Sequence, residues 1–129
     1  MNKRILIFAA IFAVAAIVLG AFGAHKLKEL LTPEQLTSFE TGVRYQMYHA
    51  LLLLFLGQFS GINDAAKKKI FYVITLGIFC FSGSIYLLAT RSILGVELSF
   101  LGPITPIGGL LFIAGWILLL RSFMNISKA

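Results

Sequence analysis

Two histidines, one cysteine and five carboxylates are all that this 129-residue chain has of the side chains that most often carry acid–base or nucleophilic chemistry near neutral pH. The densest polar set falls in residues 25–49, which hold His25, Glu40, Arg44, Tyr45, Gln46, Tyr48 and His49. At about 100° per residue, Gly42, Tyr45, Gln46 and His49 share one helix face, while Glu40 and Arg44 lie nearly opposite. The first face suits a polar ligand: an imidazole flanked by a phenol and an amide can accept, donate and exchange a proton. The second has Glu four positions before Arg, the favourable order for a helical ion pair between Glu40 and Arg44. A plainer account stands beside each. Arg44, Tyr45 and Tyr48 suit a membrane interface, where long side chains snorkel and aromatic rings anchor. His49 lies about 1.5 turns farther along, too far for a short imidazole to reach the surface. It is expected to point into a bundle, held by a backbone carbonyl, by Ser84 or Tyr86 from a later helix, or by a ligand. The candidate binding set is therefore His49, Tyr45, Gln46, His25, Ser84 and Tyr86.

Other chemistry is poorly supplied. There is no Ser-His-Asp order, no HExxH, no glycine-rich phosphate loop and no paired intramembrane carboxylate. His25 and His49 are 24 residues apart with no ligand motif between them, and Glu97 as a third ligand has nothing to support it. No metal, no cofactor and no catalytic residue is expected. Cys80, the single cysteine, reads as a small buried hydrophobe rather than a redox group.

The elements that position these residues are set by composition. Hydrophobic residues make up 59% and charged residues 12%, with a mean hydropathy of +0.94, outside the range of soluble domains. A helical span needs ~20 mostly apolar residues. Four segments qualify, at about 5–24, 42–59, 70–90 and 104–120, within a single membrane domain covering residues 1–129. Barrel strands are excluded, because the apolar runs are too long and lack period-two alternation. The first segment also outruns a signal-peptide core, and cleavage after Ala24 would set Phe22 where a small residue belongs. Thr32, Pro33 and Gln35 mark a helix start, so an interfacial helical segment is expected between spans one and two, running on into span two. An Arg at a span centre costs about 2.5–3.5 kcal/mol, and residues 51–56 return roughly 0.3–0.6 kcal/mol each. Span two therefore inserts if Arg44 sits near the interface. The expected architecture is an all-α, four-transmembrane-helix bundle.

Orientation follows from Lys and Arg. Lys3, Arg4, Lys67, Lys68, Lys69, Arg121 and Lys128 fall on one side, against Lys26, Lys28, Arg44 and Arg91 on the other. By the positive-inside rule both termini are cytoplasmic. This arrangement accounts for the net charge of +6 without nucleic acid. Small residues form stripes at helical spacing: Ala9, Ala13, Ala16, Gly20 and Ala24; Gly77, Cys80 and Ser84 with Gly83 beside them; Gly108 and Gly115. Such stripes let backbones approach closely, within one bundle or between copies. On this reading, Leu at Gly20 or Gly83 should destabilise the fold. Pro103 and Pro106 leave room for a short re-entrant turn.

Four stretches carry a resemblance. They are Gly20-Ala21-Phe22-Gly23-Ala24-His25, Glu40-Thr41-Gly42-Val43-Arg44-Tyr45-Gln46-Met47-Tyr48-His49-Ala50, Ser82-Gly83-Ser84-Ile85-Tyr86 and Gly102-Pro103-Ile104-Thr105-Pro106-Ile107-Gly108-Gly109. In this order they resemble the signature segments of the YgdD/YwdK-type bacterial membrane proteins, an uncharacterised family with small eukaryotic relatives. Lys26 departs from it, where such proteins often have Gly. The resemblance covers essentially the whole chain and implies a four-span, multi-pass protein of the bacterial inner membrane. It implies no activity, substrate or catalytic residue. Two functions remain open on the residues: binding of a small molecule or lipid head group in an outward-facing pocket around His49, or a structural accessory subunit. The latter would dock another membrane protein, or a second copy, through its small-residue faces.

Overall fold

The computed structural model describes residues 1–127; Lys128, counted above for orientation, lies outside the described residues. Every regular element among them is helical. Helix α1 (Asn2–Leu30) contains a π-helical turn at Gly23–Leu27. The chain reverses at Leu31 and Thr32 into α2 (Pro33–Gln58), opened by a full capping box. Gln35 N donates to Thr32 Oγ1 at 3.2 Å and Thr32 N to Gln35 Oε1 at 3.0 Å, with Pro33 at the first position. Helix α3 (Asp64–Ala89) starts at Asn63, whose Oδ1 accepts from Ala66 N, and has its own π-helical turn at Phe79–Gly83. A short α4 (Arg91–Leu94) ends at Gly95, where φ is +67°. That left-handed conformation suits glycine. The chain then enters α5 (Ile104–Met124).

Close pairs form where small residues allow backbones to meet. Helices α1 and α2 run antiparallel along their length: Gly57 faces Ile5 and Leu6 at one end, and Gly23 faces Phe39 at the other. Helices α3 and α5 pack through Gly77 against Phe112, Gly108 against the Cys80–Phe81 backbone, and Gly115 against Ile74. Wider gaps are filled by rings. Phe8 meets Phe71 and Phe12 meets Phe79 between α1 and α3; Phe55 and Phe59 meet Phe123 between α2 and α5. Thus α2 and α3 form the middle of the bundle, with α1 and α5 on either flank. Burial agrees: α3 buries a larger share of its most apolar stretch than α1 or α5 does. Ile5, Leu53, Leu56, Ile70 and Ile74 are fully buried at one end of the bundle. A smaller cluster of Leu27, Leu31, Phe39 and Ala89 closes the other. Outward-facing Ile11, Val14, Ile17, Leu110, Ile113 and Ile117 meet no protein, as expected of lipid-facing residues.

Three helices, Asn2–Leu30, Asp64–Ala89 and Ser99–Met124, are long and apolar enough to cross a membrane. Helix α2 has the length, at 26 residues, but its first half carries the polar set and lowers its apolarity. The helices outrun the apolar segments read from sequence. Helix α1 continues past residue 24 because Leu27 and Leu31 pack on Phe39, so the 25–41 connection shrinks to two residues. As expected, the segment that starts at Thr32 and Pro33 runs without a break into the rest of α2. Gly23, not the exposed Ala24, continues the α1 stripe, because 9, 16 and 23 recur at the seven-residue spacing that stays on one face. Gly83 faces open space, with nothing within 4 Å of a built Cβ. Leu at Gly83 is therefore expected to be tolerated, contrary to the expectation from spacing. At Gly20 the nearest atom is Val43 Cγ1 at 3.3 Å, so Leu there should lower the melting temperature measurably. No re-entrant turn forms at Pro103 and Pro106: Pro103 caps α5 and Pro106 lies in its first turn, where missing amide hydrogens leave no bond unmade.

Candidate functional site

His49 is buried in the seam between α2 and α5, with 4% of its surface exposed. Trp116 Nε1 donates to His49 Nε2 at 3.1 Å. An indole N–H only donates, so Nε2 accepts and Nδ1 carries the ring hydrogen, a tautomer assigned from these partners. His49 Nδ1 then donates to the Tyr45 carbonyl oxygen at 2.6 Å. The imidazole lies flat on Phe112, with centroids 3.6 Å apart and planes 7° from parallel. Tyr45, half-exposed at the edge of the seam, stacks on Phe81 at 4.8 Å. Both ring nitrogens are thus taken by protein groups. In this arrangement neither is free for a metal, a substrate or a transferred proton.

One turn earlier, Gln46 joins three helices. Its Nε2 donates to the Phe12 carbonyl of α1 at 2.8 Å, and its Oε1 accepts from Tyr86 of α3 at 2.7 Å. Ser82 Oγ donates to the Gly42 carbonyl at 2.7 Å, where α2 and α3 touch. Ser84 turns the other way, toward α5, and lies 2.6 Å from Thr105 Oγ1. It also reaches the carbonyls of Cys80 and Phe81 within the π-helical turn, whose widened geometry leaves carbonyls in need of partners. Both serines are buried because α3 has neighbours on two sides.

The structure thus groups Tyr45 with His49, Gln46 with Tyr86, and Ser84 with Thr105. His49 has neither Ser84 nor Tyr86 as its partner; Phe112 and Trp116 occupy its surroundings. His25 is exposed in the π-helical turn of α1 and enters none of these bonds. The Glu40–Arg44 ion pair does not form. Arg44 Nη2 donates instead to Thr41 Oγ1 at 3.1 Å. An exposed pair of this kind gains only ~0.3–0.5 kcal/mol, so a nearer hydroxyl suffices to displace it. Glu97 sits in the loop before α5. Its carboxylate accepts from Ser99 N at 2.9 Å, and hydrogen bonds from Ser99 hold it below the usual carboxylate range. Among the described residues no group of three or more His, Cys, Asp or Glu could hold a metal. Sequence reasoning missed Trp116, although a lone Trp four residues after Phe112 in an apolar helix is a usable signal. It also missed Lys67, counted as a loop charge but only 2% exposed, with Nζ donating to Asn2 Oδ1 at 3.1 Å.

Residues 19–109 match a family model described as "Protein of unknown function (DUF423)". The chain belongs to this family. Relatives of the DUF423 chain are named UPF0382 membrane proteins. One from Staphylococcus haemolyticus is 41% identical over 93% of this chain and 94% of its own. The UPF0382 membrane protein of Staphylococcus aureus strain bovine RF122 is 42% identical, covering 92% and 93%. YwdK of Bacillus subtilis is 40% identical, covering 91% and 93%. No solved structure matches the DUF423 chain. The stretch that matches the family model holds Gly42, Gln46, His49, Ser82, Ser84, Tyr86 and Thr105, whereas Phe112 and Trp116 lie beyond it.

Proposed function

We propose that this DUF423 protein is a four-span, multi-pass protein of the bacterial inner membrane with both termini cytoplasmic, and that it acts as a non-catalytic accessory subunit. What supports a fourth crossing is that α2 runs antiparallel along α1 from Gly57 beside Ile5 to Phe39 beside Gly23, so a bilayer spanned by one is spanned by the other. The polar residues that lower its apolarity turn inward: Gln46 and His49 are each 4% exposed. The observation that carries the accessory reading is the saturation of His49 by Tyr45 and Trp116, which makes the polar residues ties between helices. Most of the small residues, among them Gly57, Gly77, Gly108 and Gly115, are spent in the same way, inside the bundle, so docking falls to the outward apolar faces. Cysteine labelling in a Cys80→Ala background tests the topology. A cysteine at Ser127 should stay protected from membrane-impermeant reagents in intact cells, and labelling from outside would overturn this topology. For the accessory role, photocrosslinkers at Val14 in α1 and Ile113 in α5 should give one discrete protein adduct from one face; lipid adducts alone from both would reject it.

The rival reading holds a small molecule or lipid head group around His49, with Tyr45, Gln46, His25, Ser84 and Tyr86 as candidate contacts. One observation favours it: Trp116 is half-exposed, so its indole can leave Nε2 to an incoming donor.

A further inference from the structure

Among the described residues, one end of the bundle carries Lys3, Arg4, Lys67, Lys68, Lys69 and Arg121, with Asp64 as its one acidic side chain. Two of these cations already have partners inside the protein. Lys67 Nζ donates to Asn2, and Arg4 Nη1 to Tyr72 OH at 3.4 Å. Lys69 and Arg121 are different. They come from the first turns of α3 and the last turns of α5, and they line one cleft of about 290 Å³ with Asn63, Ser122 and Asn125. Asp64 does not line it. No ion pair forms among the described residues, so neither cation has a counter-charge there. Two like charges on converging helices repel unless an anion lies between them.

We propose that this cleft binds the phosphate group of an anionic phospholipid. Lys69 and Arg121 supply charge-assisted hydrogen bonds, and the Asn125 side-chain amide has donors for the remaining oxygens. The Asn63 amide nitrogen adds a further donor while its Oδ1 stays on Ala66 N. Ser122 contributes less, since its hydroxyl already donates to the Leu118 carbonyl at 2.9 Å. The site therefore rests on side chains from two helices rather than on the amides of the α3 terminus. Its other wall argues for a lipid over a free ion. Ala66 and Leu118, both partly buried against the apolar core, line the same cleft, so a charged rim passes directly into apolar surface. That graded lining matches a molecule with a phosphate above an acyl chain. Lys69 falls in the first turns of α3 and Arg121 in the last turns of α5, so the cleft lies at one end of both apolar helices, where a lipid head group would meet a span of this length.

The test uses the full chain in neutral detergent, melted with dioleoylphosphatidylglycerol, with dioleoylphosphatidylcholine, or with millimolar sodium phosphate. Two double variants of equal charge change are compared, K69Q/R121Q and K3Q/K68Q. Phosphatidylglycerol should raise the melting temperature of the parent chain above that seen with phosphatidylcholine. Its apparent affinity should fall about tenfold in K69Q/R121Q and change little in K3Q/K68Q. The charge-keeping exchange K69R/R121K should retain the effect. Native mass spectrometry of bound lipid reads the same ranking independently of the melt, should K69Q/R121Q fold less well. If inorganic phosphate reproduces the shift and K69Q/R121Q abolishes it, the phosphate site stands with free phosphate as its source. Equal losses in the two double variants, or no preference for phosphatidylglycerol in the parent chain, would overturn the proposal.

Discussion

Gly108→Leu is expected to prevent folding or to lower the melting temperature more than any other single glycine replacement in this protein. A Cβ at this position runs into the backbone of Cys80 and Phe81, and backbone cannot turn aside as a side-chain tip can. Overpacking a well-filled seam costs about 1–3 kcal/mol, and the upper end or beyond applies where two helix axes must separate. The seam includes Gly77 against Phe112 and Gly115 against Ile74, so one displaced helix loosens three contacts. Even Gly108→Ala should be clearly destabilising. Gly83→Leu and Gly109→Ala are the controls. Gly83 has open space and Gly109 only ordinary contact with Phe81 at 3.9 Å, so both should melt within a few degrees of the parent. Thermal melts in one detergent decide the matter, and a Gly108→Leu protein as stable as the parent would mean that α3 and α5 do not meet at this seam.

His49→Ala carries the second large effect and separates the two functional readings. Removing the ring strands the Trp116 N–H, empties the space beside Phe112 and frees the Tyr45 carbonyl's extra bond. A stranded buried donor costs about 1–3 kcal/mol, and the part-buried Trp116 N–H falls toward the lower end; the cavity beside Phe112 adds to it. A tie between helices therefore predicts a large drop in melting temperature. Trp116→Phe should cost less, since it removes one bond and keeps the ring. The double-mutant cycle should show coupling of about 0.6 kcal/mol, the average for hydrogen bonds between membrane helices, and no more than about 1.7 kcal/mol. A site that holds a ligand predicts the reverse: His49→Ala melts like the parent and abolishes the associated binding or phenotype. Additive effects of His49→Ala and Trp116→Phe would show that the two side chains do not act as a pair.

Much of this could be read from the residues alone because its causes are local. Long apolar runs fix the helices, and Thr32, Pro33 and Gln35 cap α2 through neighbours three positions away. The 100° repeat then selects Gly42, Tyr45, Gln46 and His49 as one face of α2, and all but the half-exposed Tyr45 are buried. Each of these depends on interactions within one or two turns, which spacing encodes. What the tertiary structure decided is who meets whom. Trp116 lies 67 positions from His49, and no periodicity links them. Gly83 and Gly108 look alike as small residues in apolar helices, yet one faces open space and the other a backbone, because the rotation of α3 is set by two neighbours at once. Lys67 reads as a solvated charge until α1 brings Asn2 against it. Glu40 and Arg44 have the right spacing for an ion pair, but a pair so weak at the surface yields to the nearest competing hydroxyl. Local periodicity fixes which face of a helix is buried; the relative rotation and approach of the helices fix which atoms that face finds.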